Sequence, residues 1–431
     1  MHSSKVRDLQ NRLYEAAKAN PKRRFHALRD KVQRMDVLTD AWKQVKGNKG
    51  APGVDGEHIE RIVEAGEEEF LEQLRDSLVA GTYRVSSVRR VYIDKPDGGR
   101  RPLGIPIVRD RVVQGALKIV IEPIFEADFK DCSYGYRPER SADDAHQKIR
   151  KHLYSGYTEV IDADIKGFFD NISHEILMRE IERRIADGWV LKLIRAILRA
   201  KVIEPEGRSY KLKKGTPQGG VISPLFANIY LHQLDREWEA SGITDWRDSD
   251  AQLIRYADDL VILTKGVTVK PMYKLKMVLG ELGLELHPEK TKVVKARDGF
   301  EFLGFRIVVR SSTRRNRRTV LSFPCGSAMK RAKEKIKELT DIRKNGWRKP
   351  FEVIERLNQF ARGWANYYSN SNAYQAFRTI QYYVNQRVRR FLRRRKNRKG
   401  FGYKEYPDRF LYGSLGLINL TRKGLIRRSR S

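Results

Sequence analysis

An α+β fold with a helical C-terminal domain is predicted by the order of patterns along the chain. Strand-type and helix-type patterns are mixed up to about residue 310, and from Ala328 onward only helical periodicity is present. Hydrophobic residues make up 40% of the 431 residues, which is enough to build packed cores. Strands mixed with helices, followed by helices alone, indicate an α+β body and a separate helical region.

The N-terminal part is predicted to contain helices and one β-hairpin. Residues 6–45 have the pattern of two or three basic amphipathic helices, interrupted near Asn20-Pro21, and the glycine-rich loop KGNKGAPGVDG follows at 46–56. A helical stretch continues to about Leu78. SVRRVYI and RRPLGIPI are strand-type segments joined by the turn DKPDGG, so they predict a hairpin with basic arms. Residues 110–125 predict an apolar helix.

The middle of the chain alternates between the two kinds of element. TEVIDADI predicts a strand before a helix that begins at His174, and residues 188–214 predict a helix and a short hairpin. GTPQGG is a loop that enters a helix. LIRYADDLVILTK predicts two apolar strands around a two-aspartate turn, and FEFLGFRI predicts one further strand.

The C-terminal helices are predicted at about 328–343, 350–368 and 373–396. The middle helix carries apolar side chains at helical spacing, which predicts one buried face formed by Phe351, Ile354, Leu357, Trp364 and Tyr368.

Positive charge is concentrated in the same region. The chain has 87 Lys plus Arg against 54 Asp plus Glu, a net charge of +33. Residues 301–431 contain 34 basic and 8 acidic residues, which leaves 53 basic and 46 acidic residues for the rest. Aromatic residues alternate with these charges, and this combination suits a polyanion such as RNA. A membrane-surface protein would share the charge, but an amphipathic anchor would not explain the YADD and TPQGG motifs.

Other classes of protein are disfavoured by what the sequence contains. Its two cysteines, Cys132 and Cys325, allow neither a disulfide framework nor a cysteine-rich zinc module, and they fit a reducing cytoplasm. No apolar run has the length of a membrane span, and the first twenty residues are too polar for a secretory signal. The location expected is therefore cytoplasmic, in association with a bacterial nucleoid.

Acidic residues interrupt two apolar strands. Asp258 and Asp259 lie in the turn of the predicted hairpin, and Asp162 and Asp164 share one face of the upstream strand because side chains alternate. Aspartates are also common in ordinary turns, so the YADD turn alone would be a weak signal. Carboxylates in apolar strands are costly unless they are paired or bind cations. Three of them converging would suit Mg²⁺.

Taken together, these motifs resemble those of a known protein family. YADD in a hairpin, DADIKGFFD upstream and TPQGGVISPLFANIYL between them are similar to reverse transcriptases, and more narrowly to bacterial group II intron-encoded reverse transcriptase/maturases. The similarity covers nearly the whole chain, with GAPGVDG, SYGYRPERSADDA, LHPEKTKVV, FEFLGF and RGWANYY also in the expected order.

The resemblance implies a right-hand polymerase with fingers, a palm built on an antiparallel sheet, and a helical thumb. Its expected boundaries are 1–80 for the N-terminal extension and fingers entrance, 81–160 for the fingers, and 161–310 for the palm with a finger insertion at about 185–215. The thumb/maturase domain would span 320–400 and a basic tail 401–431. By similarity, two Mg²⁺ ions, or Mn²⁺ in their place, would be held by Asp164, Asp258, Asp259 and the backbone of Ile165. Asp162 would only support them.

The resemblance also assigns binding roles. Phe169 would exclude the ribose 2′-OH, and Gln218 would contact the incoming dNTP. Lys95 and Arg101, with Arg89 as a weaker candidate, would bind the triphosphate, while Asp94 departs from the proline common in relatives. Tyr256, Lys290 and Gly219 would contact template or primer. The RNA-binding candidates in the thumb are Arg389, Arg390, Arg393, Arg394 and Arg395.

The implied function is an RNA-directed DNA polymerase that is also a maturase. Its partners would be group II intron RNA, an RNA template with a DNA primer, dNTPs and a DNA target. No endonuclease of the HNH type is expected, because the sequence has no Cys or His motif for one. Two alternatives stay open: an RNA-binding splicing cofactor with weak polymerase activity, and a domesticated relative in defence or repair. The oligomeric state also stays open, a homodimer included.

Overall fold

The computed structural model describes residues 2–94, 98–217, 219–243, 250–312, 317–400 and 402–421. It confirms the α+β class, and the chain divides into two compact units. The first unit comprises residues 1–141, 163–262 and 267–292, and the second comprises 142–162, 263–266 and 293–431. The domain boundaries expected from the resemblance stay a prediction.

The N-terminal half begins with helices, as predicted. The first helix ends just before Asn20-Pro21, as expected. Ser3 caps its N-terminus by accepting a hydrogen bond from the N–H of Val6. The predicted hairpin with basic arms is present, with Arg90 opposite Gly104 in its register. In chain order the elements are α1 (Ser4–Ala19), α2 (Arg29–Val32), α3 (Met35–Gly47), α4 (Ile59–Ala65), α5 (Glu67–Val79), β1 (Val88–Asp94), β2 (Arg100–Ile105), α6 (Val108–Glu126), α7 (Ala142–Tyr154), β3 (Glu159–Asp164), α8 (Phe168–Asn171), α9 (His174–Glu182), α10 (Gly188–Leu198), β4 (Lys201–Ile203) and β5 (Ser209–Lys211).

The remaining elements also follow the predicted order. The helix after GTPQGG, the YADD hairpin and the C-terminal helices are all present. They are α11 (Ser223–Ala240), β6 (Ala251–Tyr256), β7 (Asp259–Thr264), α12 (Val269–Glu281), β8 (Lys292–Lys295), β9 (Phe300–Phe302), β10 (Phe305–Ser312), β11 (Arg317–Pro324), α13 (Gly326–Leu339), α14 (Ile342–Asn345), α15 (Pro350–Tyr367), α16 (Tyr374–Arg395) and a π-helical turn at Phe410–Ser414.

The strands form three sheets. Strands β2-β1-β4-β5 form one, and β11-β10-β9 form another. The third has the order β6-β7-β3-β8; Asp162, Asp164 and Asp259 lie in its strands, and Asp258 lies in the turn between β6 and β7. Its central strands are buried, since Val160, Ile161, Val261 and Ile262 have no exposed surface. Among the described residues, no helix is long and apolar enough to cross a membrane.

Two predictions about local structure were wrong. FEFLGFRI is not one strand but two, β9 and β10, because Leu303 and Gly304 both have positive φ, at 48° and 80°, and turn the chain back. Phe351 does not belong to the buried face of α15, since 63% of it is exposed. It lies in the first helical turn at the edge of that face, which contains Ile354 and Leu357 as predicted.

Candidate active site

The two acidic segments meet at one edge of the third sheet. The N–H of Thr158, just before β3, donates to the carbonyl oxygen of Thr264, the last residue of β7, over 3.0 Å. The start of β3 therefore lies beside the end of β7, and these neighbouring strands run in opposite directions. Asp164, which ends β3, and Asp259, which begins β7, consequently lie at the same edge of the sheet.

The charges at this edge influence one another. Burial raises the pKa of Asp258, the charge of Asp164 raises it further, and Arg101 opposes the shift. The Nζ of Lys290 lies 3.7 Å from Oδ2 of Asp164. Arg101 and Lys290, both predicted from the resemblance, are therefore cations that act on the carboxylates of the site.

The donor set fits a hard divalent cation by its chemistry, because carboxylates crowded enough to raise a pKa are stabilised by such an ion. Across the described residues, however, no three Asp, Glu, His or Cys side chains are arranged so that they could hold one metal ion in this structure. The backbone carbonyl of Ile165 stays a candidate metal ligand. The bonds of its bridge to Leu286 join Asp164 and Lys166 to that segment, and not Ile165 itself.

The YADD turn is held by the SYGY segment. Ala257 has a φ of 57°, an uncommon conformation for a residue with a side chain. Gly135 packs so closely that a Cβ there would lie 2.4 Å from the nitrogen of Ala257. The backbone of Cys132 accepts from the N–H of Arg255, and that of Tyr134 donates to the Arg255 carbonyl, over 2.7 and 2.8 Å. A glycine is therefore required at 135.

A buried ion pair anchors the same turn. Arg255 has no exposed surface, and its Nε and Nη2 donate to the two carboxylate oxygens of Asp235 on α11 over 2.9 and 2.5 Å. Its Nη1 donates to the Asn228 side chain and to the carbonyl oxygen of Ala257, each over 3.0 Å. Asn228 in turn donates to the carbonyl of Gly135 over 2.8 Å. One guanidinium thus connects α11 to the YADD turn directly, and to the SYGY segment through Asn228.

Arg255, Asp235 and Asn228 were not predicted from the sequence as residues of the site. One signal was present, because an arginine in the apolar run LIRYA must find a buried partner. Its partner on α11 was not identifiable from the sequence, since it lies 20 residues away on a helix.

Phe169 lies where the TPQGG loop meets α8. Its ring packs edge to face on Phe168, with 5.2 Å between centroids, and only 8% of the residue is exposed. The N–H of Thr216 donates to the carbonyl oxygen of Phe169 over 2.9 Å, so the loop is attached to the same backbone. Gln218 lies outside the described residues. Gly219 has a φ of 111°, and a Cβ there would lie 2.8 Å from the Gly104 oxygen on β2.

The β1–β2 hairpin supplies Arg101 to this region but not Arg89. Lys95 lies outside the described residues. Arg89 donates from Nη2 to the carbonyl oxygen of Pro52 over 2.6 Å, so its guanidinium holds the GAPGVDG loop. Arg101 is exposed, and its charge acts on both Asp258 and Tyr136.

Two tyrosines flank the acidic turn. Tyr256 is half-buried, and its ring centroid lies 6.4 Å from that of Tyr136, which is 52% exposed. Burial raises the pKa of Tyr136, and Asp258 adds to the shift. Tyr136, the last residue of the SYGY segment, is thus a further residue at the site, and the sequence alone did not indicate this position.

The second unit carries the basic helix α16. Arg394 and Arg395 are exposed there, Arg390 and Arg393 are half-buried, and Arg393 is 3.4 Å from Glu405. Arg389 corrects one prediction, because it is only 5% exposed and donates to the Tyr406 carbonyl over 2.8 Å and to Asp408 over 2.5 Å. Its guanidinium is used inside the unit and is not on an RNA-facing surface.

Comparison with known proteins supports the resemblance. Residues 93–307 match the reverse transcriptase (RNA-dependent DNA polymerase) family, and residues 329–409 match the group II intron maturase-specific domain. Protein YkfC of Escherichia coli is 34% identical over 74% of this chain and 92% of its own length. The chain belongs to the group II intron-encoded reverse transcriptase/maturase family. Family membership places its α+β fold in the right-hand polymerase class.

Other relatives of this reverse transcriptase/maturase are longer. The group II intron-encoded protein LtrA of Lactococcus lactis is 32% identical over 65% of this chain and 56% of its own length. An uncharacterized 91 kDa protein in the cob intron of Schizosaccharomyces pombe is 28% identical over 83% and 52%. The chain thus spans about half the length of these two relatives. A telomerase structure from Candida albicans, with telomeric RNA, has a TM-score of 0.43, 14% identity and coverage of 78% and 65%, too distant to bear on the fold.

Proposed function

We propose that this protein copies RNA into DNA by two-metal nucleotidyl transfer and acts as a maturase on group II intron RNA. The observation that carries the first part is the meeting of Asp164 with Asp258 and Asp259 at one sheet edge, where the charge of Arg101 acts on Asp258 and Lys290 lies 3.7 Å from Asp164. The reverse transcriptase match over residues 93–307 supports the same chemistry.

Each residue has a role in the proposed reaction. Asp164, Asp258 and Asp259 would hold two Mg²⁺ ions, which would activate the primer 3′-OH and neutralise the pyrophosphate that leaves. Arg101 would bind the dNTP triphosphate, with Lys95 as its proposed companion. Phe169 would select against ribonucleotides, and Gln218, Gly219 and Tyr256 would contact the nucleotide, template or primer. Arg255 would keep the turn in position without contacting substrate.

The maturase part rests on the second unit. Residues 329–409 match the maturase-specific domain, and Arg394 and Arg395 on α16 give it an exposed positive end. Basic side chains bind A-form RNA through its phosphates and 2′-hydroxyls, so no base-specific pocket is required. We propose group II intron RNA as the partner of this surface, and a DNA target as the substrate for insertion.

Primer extension tests the polymerase assignment. Wild-type protein is incubated with an RNA template, an annealed DNA primer, dNTPs and Mg²⁺, and compared with Asp258→Asn and Asp259→Asn variants. We expect extension by the wild type, its loss in EDTA, and a loss of at least a hundredfold in each variant because a metal ligand is removed. Asp8→Asn, which removes an exposed carboxylate on α1, is the control and keeps wild-type activity.

The same assay separates the polymerase assignment from that of an RNA-binding splicing cofactor. A wild-type protein that binds intron RNA but extends no primer would be a splicing cofactor, and the polymerase assignment would be wrong. Variants that extend as well as the wild type would remove Asp258 and Asp259 from the reaction.

A further inference from the structure

A basic cavity of about 1350 Å³ lies in the first unit between α9, α10 and β5. Its lining has four more positive than negative charges, because only Glu175 and Glu182 oppose six basic residues. The basic residues are Arg179, Arg195, Arg199, Lys211, Lys213 and Lys214.

Four of these six cationic side chains have no partner among the described residues. The side chains of Arg179, Arg199, Lys211 and Lys213 are exposed and make no hydrogen bond or ion pair in the part of the chain that the structure describes. The remaining two are occupied: Arg195 pairs with Glu182, and Lys214 donates to the Asn171 side chain over 2.7 Å. Like charges gathered without counter-charges attract a polyanion.

The size of the cavity favours a polymer over a small ligand. Small-molecule sites usually measure about 300–1,000 Å³, so this cavity exceeds that range. Tyr210 lines it with 40% of its surface exposed, while its hydroxyl donates to Glu204 over 2.8 Å and lies 3.3 Å from Nη2 of Arg90. A tyrosine ring fixed in this way offers a stacking surface for an unpaired base, which a base within a duplex cannot use.

One wall of the cavity contacts the loop that begins at Gly215 and packs against Phe169, the residue proposed to select dNTPs. The ring Nε2 of His174 lies 2.7 Å from the carbonyl oxygen of Gly215, which identifies a hydrogen bond from the ring N–H. Gly215 packs against the backbone of Phe169 and Asp170, since a Cβ at 215 would lie 2.9 Å from the Phe169 oxygen. A ligand in the cavity would therefore contact residues bonded directly to the loop that precedes Gln218.

We propose that this cavity binds a short stretch of single-stranded RNA through its phosphates, with one base stacked on Tyr210. None of the residues that line the cavity belongs to the acidic sheet edge or to α16. The proposal therefore goes beyond the proposed function. The unpaired RNA would be part of the RNA that the protein copies or splices, outside the template–primer duplex.

The test is a salt titration of RNA binding. A fluorescent 12-nucleotide oligouridylate is bound to the full-length chain and to an Arg199→Gln/Lys211→Gln/Lys213→Gln triple variant, with fluorescence anisotropy as the readout. Each lost phosphate contact flattens the slope of log K against log salt by about 0.7 for single strands, so three contacts flatten it by about 2. At low salt we expect binding to weaken by tenfold or more.

A matched triple variant provides the control. Lys5→Gln/Lys192→Gln/Lys276→Gln removes the same charge from exposed positions outside the cavity, and it should change the slope by less than 0.7. Equal losses in the two variants would show non-specific attraction and overturn the proposal, as would unchanged binding in the cavity variant. Equal weakening on an RNA hairpin duplex would overturn the single-strand assignment.

A second measurement keeps this proposal apart from the polymerase assignment. Tyr210→Ala leaves the charge unchanged and should weaken oligouridylate binding severalfold, because a stacked base contributes about 1–3 kcal/mol. Primer extension is run on the same preparations. Absence of extension by the wild type would count against the polymerase function alone, whereas an unaltered salt slope would count against the cavity alone.

Discussion

Replacing Arg255 by methionine tests whether the buried ion pair with Asp235 both stabilises the fold and positions the acidic turn. The substitution would leave the Asp235 carboxylate buried without its two donors at 2.9 and 2.5 Å. Removing one partner of a buried pair costs about 3–5 kcal/mol. The carbonyl of Ala257 and the side chain of Asn228 also lose a donor, which adds about 1–3 kcal/mol for each group left unsatisfied.

A double variant separates the two effects. Arg255→Met/Asp235→Leu removes both charges, and replacing a buried pair by apolar side chains is often close to neutral for stability. We expect it to recover more than half of the free energy of unfolding lost in the single variant, measured by urea unfolding. Primer extension should stay at least tenfold below the wild type in both, because the Ala257 carbonyl has lost its anchor and a displacement of about 1 Å costs about a hundredfold in rate.

Two outcomes would refute this reasoning. A single variant within about 1 kcal/mol of the wild type would show that the pair does not stabilise the fold. A double variant with wild-type activity would show that Arg255 does not hold the turn. Arg34→Met is the matched control, because its pair with Asp36 is partly exposed and such pairs contribute about 1 kcal/mol or less.

Two further predictions concern the selectivity and the pH dependence of stability. Phe169→Val should raise incorporation of ribonucleotides relative to dNTPs by at least tenfold in single-nucleotide extension, because the ring that would meet the 2′-OH is gone; unchanged selectivity would remove the assignment. Burial opposes ionisation of Asp187, but four backbone N–H groups outweigh it and lower the pKa of its carboxyl. At pH values above the ordinary aspartate pKa, Asp187→Ala should therefore lower the free energy of unfolding by about 1–2 kcal/mol. This cost should vanish as the pH falls through the lowered folded-state pKa, and a pH-independent loss in urea unfolding would contradict the prediction.

Local patterns predicted most elements of the fold. The hairpin β1–β2, the helix after GTPQGG and the C-terminal helices follow from periodicity and turn residues, which act over short distances in the chain. The wrong prediction for FEFLGFRI has a cause in the local backbone conformation. FEFLGFRI has one apolar pattern, yet a positive φ at Leu303 splits it, and nothing in a leucine signals that conformation.

Some residues of the candidate sites were predictable from sequence motifs, and others were not. Sequence blocks indicated Asp164, Asp258 and Arg101, and the structure brings all three within electrostatic range of one another. The blocks did not indicate that Arg389 is buried, because an arginine at the end of a basic helix has the same pattern whether it faces solvent or pairs internally with Asp408.

The candidate carboxylates, the basic β1–β2 hairpin, the order of the motifs and the charge of the last third of this reverse transcriptase/maturase were all predictable from the amino-acid sequence. Which residues support the candidate site became visible only in the folded chain. Arg255 reaches Asp235 on another element, and the cations of the α9–α10–β5 cavity gather from three separate segments. Such contacts depend on where distant segments come to lie when the chain packs, and no short-range pattern records that placement.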